Sequence, residues 1–206
     1  MENIKVNIAK NGITTLATAG KYCATNVDVV VSVPDVEAEQ LAAQQAMEDA
    51  VIEGTIQHYA NDRIMQIGNY TFQYKSTLLS VNCPAARNAN LLAFFYCDRL
   101  AQVDMPALEY AGDSAFAHCA QLTTLDLPSL HVIDIEAFKG CTNLSALILR
   151  REEVCQLFHD SAFKDTPIES GMGLIYVPDA LVEQYKTAEN WSVYAGKIRP
   201  ISQLGT

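Results

Sequence analysis

Positive charge is scarce in this chain: 14 Lys and Arg residues stand against 24 Asp and Glu in 206, a formal charge of −10. Binding to nucleic acid or an anionic membrane needs clustered Lys and Arg, so neither is expected as a partner. No apolar run approaches the roughly 18 residues that cross a bilayer. The start, MENIKVNIAKNG, has no apolar core followed by a small-residue cleavage site, so no signal peptide is expected and synthesis in the cytosol is. CxxC pairs are missing, as are histidines at zinc-site spacing, so a structural metal site is not predicted. GxSxG, HExxH and the phosphate-binding P-loop are missing too, which removes the usual signposts of an enzyme. Half of the residues are nevertheless apolar, ample for a packed core.

Those apolar residues are strictly periodic. Phe72, Phe94, Phe116 and Phe138 follow one another at 22 residues. Six places later come Leu78, Leu100, Leu122 and Leu144, and nine later Val81, Val103, Leu125 and Leu147. Twelve later come Pro84, Pro106 and Pro128, broken by Arg150 in the fourth copy. A leucine-spaced period of 20–29 residues is the mark of stacked leucine-rich repeats, each burying its core only against its neighbours. The third copy is clearest: Leu122, Leu125 and Leu127 point inward and Thr124 and Asp126 outward. Phe116 and Cys119, at i and i+3 in GDSAFAHC, read as a helical or turn segment. The prediction is an α/β solenoid with a parallel sheet on one face, each unit a strand, a turn and a short helical return.

The cysteines join the same columns. Cys97, Cys119 and Cys141 lie three places after successive phenylalanines, with Lys75 in the first copy. Stacked equivalents would lie about 5 Å apart with parallel side chains, a poor geometry for disulfides. All six (Cys23, Cys83 and Cys155 besides) are therefore expected as free, buried thiols.

Four regions follow. Residues 1–34 read as a small β attachment element, with Ile4, Val6 and Ile8 alternating, a turn at Asn11-Gly12, and a strand at Val27–Val33 stopped by Pro34. Residues 35–52, rich in Ala, Gln and Glu without Gly or Pro, read as a connecting helix. The repeats occupy 53–172, with DSAFKDTPI around Phe163 a degenerate last unit. Residues 173–206 hold a last strand, Leu174–Val177, and a helix from Asp179, its expected N-cap, that would cap the stack with Leu181, Val182 and Tyr185 inward. Assembly of copies through residues 1–52 is an expectation of the same reading.

The AFAHC, EAFKGC and LTTLDLP stretches resemble the BspA-like leucine-rich repeats over about 110 residues. Proline stands here where the commoner leucine-rich pattern has asparagine. The resemblance implies a right-handed solenoid used for contacts with proteins or surface glycans, without catalysis. The ends, NGITTLATAGKYCATNVDVVVSVP and YVPDALVEQYKTAENWSVYAGKIRPISQL, resemble segments of tail and baseplate-associated structural proteins of phages and prophages infecting Firmicutes. That resemblance implies attachment at the N-terminus, display of the repeats, and a place on the virion; a bacterial cell-surface adhesion or interaction protein is the alternative.

Candidate chemistry is thin. His118 beside Cys119 is the one Cys–His neighbour pair, and adjacent residues on a helical segment diverge by about 100°. The outward strand positions offer more: Ser80 and Asn82, Gln102 and Asp104, Thr124 and Asp126, then Ala146 and Ile148. Stacking would align Asn82, Asp104 and Asp126 about 5 Å apart. Carboxylates that close need a water, a cation or a basic group between them. A solvated polar ladder is the plain reading; a weak Ca²⁺ site or a strip recognising a basic or sugar ligand are the others. No cofactor and no catalytic residue is expected.

Overall fold

The computed structural model describes residues 57–205. The expected β element over 1–34, the helix over 35–52 and Cys23 lie outside the described residues. From the N-terminal side the strands are β1 (His58–Ala60), β2 (Gln66–Ile67), β3 (Ser80–Asn82), β4 (Asn88–Ala89), β5 (Gln102–Asp104) and β6 (Tyr110–Ala111). They continue as β7 (Thr124–Asp126), β8 (Val132–Ile133), β9 (Ala146–Ile148) and β10 (Gln156–Leu157). A 3-10 turn at Asp160–Phe163 and helix α1 (Pro167–Ser170) lead to β11 (Leu174–Val177). Helix α2 (Val182–Thr187), a 3-10 stretch at Ser192–Lys197 and β12 (Ile198–Pro200) complete the order.

Each repeat contributes two strands, not the single strand its sequence suggests. The three-residue strands carry the Val81/Leu125/Leu147 column, and the two-residue strands follow the proline. All pairings are parallel, and between repeats the register is the sequence period: Val81 pairs with Val103, Leu125 with Leu147, Ala89 with Ala111. The short strands form one unbroken sheet, β10-β8-β6-β4-β2. The longer ones divide into β1-β3-β5 and β12-β11-β9-β7. Val103, at the edge of that division, is only partly buried, whereas Val81, Leu125 and Leu147 are fully so.

The expected helical return is a run of turns. Residues two places before and two after each phenylalanine take left-handed φ: Tyr70 and Tyr74, Leu92 and Tyr96, Ser114 and His118, Glu136 and Gly140. A right-handed helix cannot pass through such residues. The turns instead bond from layer to layer, as in Phe72 N–H to Ala93 C=O (2.8 Å) and Phe94 N–H to Ala115 C=O (2.7 Å).

Inside, the phenylalanines form a continuous stack. Ring centroids from Phe72 through Phe94, Phe116 and Phe138 to Phe163 are 5.3, 5.1, 5.6 and 5.7 Å apart, and successive planes differ by 18° or less. Beside them the thiols of Cys97, Cys119 and Cys141 donate to the carbonyls of Phe72, Phe94 and Phe116 at 2.9, 3.2 and 3.1 Å. Each thiol thus satisfies a backbone acceptor of the preceding layer, which a disulfide would forfeit. The five described cysteines are buried, and Cys97, Cys119, Cys141 and Cys155 are free thiols.

After the last repeat, residues 185–191 close the outer edge of β10. Tyr185 Oη accepts the Cys155 N–H at 2.9 Å, Trp191 Nε1 donates to the Cys155 carbonyl at 2.7 Å, and Asn190 Nδ2 donates to the Leu157 carbonyl at 2.8 Å. Side chains take the place that another strand would fill, and an edge so occupied does not template further pairing. Trp191 and Tyr194 pack on the ring of Phe163, 6.0 and 5.4 Å away. Leu181 and Tyr185 are buried, as expected. Asp179 is not a helix cap: its carboxylate accepts the Ser202 N–H at 3.1 Å, and hydrogen bonding from Ser202, its side chain first and then its N–H, lowers the Asp179 pKa.

Candidate binding surface

The three-residue strands fix the direction of the predicted strip. Their central residues face the phenylalanine stack, so the flanking positions face out. Asn82, Gln102, Asp104, Thr124 and Asp126 are exposed. Ser80 is half-buried, its Oγ 2.7 Å from His58 Nδ1 in the next strand, and Ala146 is half-buried. Ile148 does not belong with them: it is 5% exposed. In register it sits between Asp126 of β7 and Tyr176 of β11, and an apolar side chain there packs down instead of reaching out.

The carboxylate ladder also differs from expectation. Asn82 pairs with Asp104 across β3 and β5, but Asp126 pairs with Ile148, and no sheet joins β5 to β7. Asp104 and Asp126 therefore stand on opposite sides of the sheet division. Asp126 has its own counter-charge. Arg150, the residue that interrupts the proline column, approaches it with two nitrogens: Nε lies 2.9 and 3.1 Å from its oxygens and Nη2 2.7 Å. The forked guanidinium fits a carboxylate in this way, and the bond raises the Arg150 pKa. A cation is not needed to hold Asp126. Among the described residues no three His, Cys, Asp or Glu side chains converge as metal ligands.

The Cys119–His118 pair has no catalytic geometry. The Cys119 thiol donates inward to Phe94, and burial raises its pKa well above the ordinary thiol value. His118 points the other way, its ring stacked on Tyr96 with centroids 4.1 Å apart. Burial, then the charge of Lys139, lowers its pKa.

Two clefts lie at the C-terminal end. One, about 280 Å³, runs beside β10 and is lined by Gln156, Phe158 and Asn190 among others. The other, about 400 Å³, holds His159, Asp160, Ser161, Lys164 and Glu169. Its Ser–His–Asp trio looks like a relay, but both partners reach the same nitrogen: His159 Nδ1 is 2.9 Å from Ser161 Oγ and 3.1 Å from Asp160. A relay needs the base and its orienting acid on different ring nitrogens. Ser161 N–H also donates to that Nδ1, so the trio is a turn-closing contact.

A surface that sequence reasoning passed over lies on the turn side of the repeats. Tyr70, Tyr74 and Tyr96 are 50%, 62% and 43% exposed, with Phe95 half-buried against Tyr74 and Tyr96. The signal was available in the column two places after each phenylalanine, which reads Tyr74, Tyr96, His118, Gly140. Rings stand where the fourth copy has glycine.

Comparisons agree with this architecture. The sequence matches the BspA type leucine rich repeat region in six copies over residues 65–172. A leucine-rich repeat protein of known structure from Bacteroides ovatus superposes with a TM-score of 0.55 at 23% identity, over 71% of this chain. The match spans 37% of that protein's length, and at such identity it shows the fold alone. Among curated proteins none matches the sequence. Leucine-rich repeats of this kind are typically non-catalytic modules that mediate protein interactions. With its repeats matched across 65–172, the chain belongs to the BspA-type leucine-rich-repeat family.

Proposed function

We propose that this chain is a non-catalytic structural and binding module of a phage or prophage tail, which recognises a ligand on the host surface. The observation that carries the binding part is the row of exposed polar side chains on β3, β5 and β7: Asn82, Gln102, Asp104 and Thr124 stand on a uniform core. Such rows are where stacked-repeat proteins meet partners. Asp126, held by Arg150, contributes to shape and hydrogen bonding more than to charge, and Ser80 and Ala146 border the row. The ligand is a protein or a surface glycan. The tail assignment rests on the likeness of the chain's two ends to tail and baseplate-associated proteins. In this reading residues 1–34 attach the module, 35–52 connect it, 53–172 carry the repeats and 173–206 cap them.

The test is to induce a lysogen that encodes the protein, purify tail particles and probe them with antibody to the chain. The reading expects the chain in the particle fraction, and labelled chain bound to intact host cells. Its recovery from bacterial cell envelopes and absence from particles would instead assign it to cell-surface adhesion.

A further inference from the structure

Neighbouring repeats are joined along three sides: the turns, the two-residue strands and the three-residue strands. On the last side two backbone bonds recur at either end of the strand. The N–H entering it donates to the preceding layer, Leu79 to Gln57, Ala101 to Leu79, Ser145 to Thr123 and Leu174 to Ser145, at 2.7–2.9 Å. The N–H leaving it donates to the following layer, Asn61 to Asn82, Cys83 to Asp104, Leu127 to Ile148 and Leu149 to Tyr176, at 2.9–3.0 Å. Thr123 and Met105 hold the corresponding places between the second and third repeats, and neither makes its bond among the described residues. This is also the junction at which β5 and β7 do not pair and beside which Val103 is only partly buried.

The other two sides of the same junction are closed. At the turns, Phe94 and Tyr96 N–H donate to the Ala115 and Ala117 carbonyls at 2.7 and 2.9 Å, and Phe94 and Phe116 are the closest pair of the ring stack at 5.1 Å. On the short-strand side, β6 pairs with β8, Asp134 N–H donates to the Ala111 carbonyl at 2.9 Å, and Tyr110 Oη donates to the Asp134 carboxylate at 2.6 Å.

A charge argument explains why this junction, among equals, is open on one side. Closing it would set Asp104 directly opposite Asp126 on strands about 4.8 Å apart, and like charges so placed destabilise a strand pair. The neighbouring junctions avoid the clash, since they set Asn82 against Asp104 and Asp126 against Ile148. Arg150 holds Asp126 from the side of the fourth repeat, at 2.7 Å. No side-chain hydrogen bond or ion pair crosses the strand side of the open junction among the described residues.

We infer that the junction of the second and third repeats is a hinge: its strand side opens and closes while its turns and short strands hold, and the repulsion of Asp104 and Asp126 keeps it from zipping shut. Layers that touch only their neighbours can pivot at a single weak junction, each block staying rigid. Gln102 and Asp104 ride on one block, Thr124 and Asp126 on the other, so the hinge sets the curvature of the strand strip. It is a property of the free chain and holds whatever the strip binds.

Two measurements on the full chain test it. Native-state hydrogen exchange should find the Thr123 and Met105 amides at least about tenfold faster than Ala101, Ser145, Cys83 and Leu127, their counterparts at the bonded junctions. Pulsed electron paramagnetic resonance then asks whether the open side moves. Nitroxide pairs are placed at Ala60→Cys/Ala146→Cys on the three-residue strands and at Gln66→Cys/Gln156→Cys on the short ones. A Cys23→Ser background serves, since the other native thiols are buried. Each pair spans four layers, about 19 Å. The first distance distribution is expected to be at least about twice as broad as the second, and Asp104→Asn to narrow it toward the second. Equal widths in the two pairs overturn the hinge, even with fast amides, because the gap would then be fixed. Amides at Thr123 and Met105 as slow as their counterparts also overturn it. A first-pair width unchanged by Asp104→Asn overturns the part assigned to the two carboxylates.

Discussion

Truncating Phe116 to alanine removes the middle ring of the stack. The side chain is fully buried, with Phe94 and Phe138 above and below it at 5.1 and 5.6 Å. Phe→Ala in a core costs about 3–5 kcal/mol, a transfer part plus a cavity part that shrinks only if neighbours can close in. Here they cannot close in easily. The layers are pinned by backbone bonds, including Phe94 N–H to Ala115 C=O at 2.7 Å and Phe116 N–H to Ala137 C=O at 2.8 Å. Two stacked ring pairs are lost as well, each worth about 0.5–1.5 kcal/mol beyond its area. The expected loss is therefore in the upper half of that range, about 4–5 kcal/mol. Urea unfolding followed by far-ultraviolet circular dichroism reads it directly. In a thermal melt it corresponds to a drop of roughly 8–20 °C at about 2–4 °C per kcal/mol. A loss below about 1 kcal/mol would mean that this ring is not held between its neighbours, and the stacked-repeat argument would fail with it.

Trp191→Phe keeps the packing on Phe163 but removes the donor to the Cys155 carbonyl. Leaving that buried acceptor unpaired should cost about 1–3 kcal/mol in the same denaturation assay, and no loss would show that the edge of β10 does not need its side-chain partners. The thiols predict a pH dependence. Burial pushes Cys97, Cys141 and Cys155 up to about 12 from an ordinary 9.0, so above pH 9 the unfolded chain releases protons that the fold retains. Stability should be insensitive to these groups below pH 9 and fall as pH rises from there toward 12. Denaturation midpoints that do not fall between about pH 8 and about pH 10 would contradict their burial.

Much of the core was legible because a stack of identical layers writes its period into the sequence. Phe72 to Phe138, the leucines and the cysteine column each name a place in the layer, and the structure puts them there. The second strand of each repeat was not legible. Asn88–Ala89 and Tyr110–Ala111 are two residues long, too short to alternate, and they exist only because the next layer pairs with them. The helical return failed for a local reason: spacing of i and i+3 fits a turn as well as a helix, and left-handed residues such as Leu92 and Tyr96 decide for the turn. Arg150 read as a lapse in the proline column, yet it faces Asp126 of the preceding layer, a relation visible only in three dimensions. The candidate strip was legible as alternation, but alternation marks direction and not exposure, so Ile148 was grouped with polar residues and is buried.

The claim that the strand strip makes the contact while the phenylalanines only build its support is tested by one comparison of binding to intact host cells. The full chain would be measured against a variant carrying Gln102→Ala, Asp104→Ala and Thr124→Ala. These side chains are exposed, so the thermal midpoint should stay within about 2 °C of the wild type. The account predicts cell binding weakened at least about tenfold in the variant. Equal binding by the two proteins would contradict it.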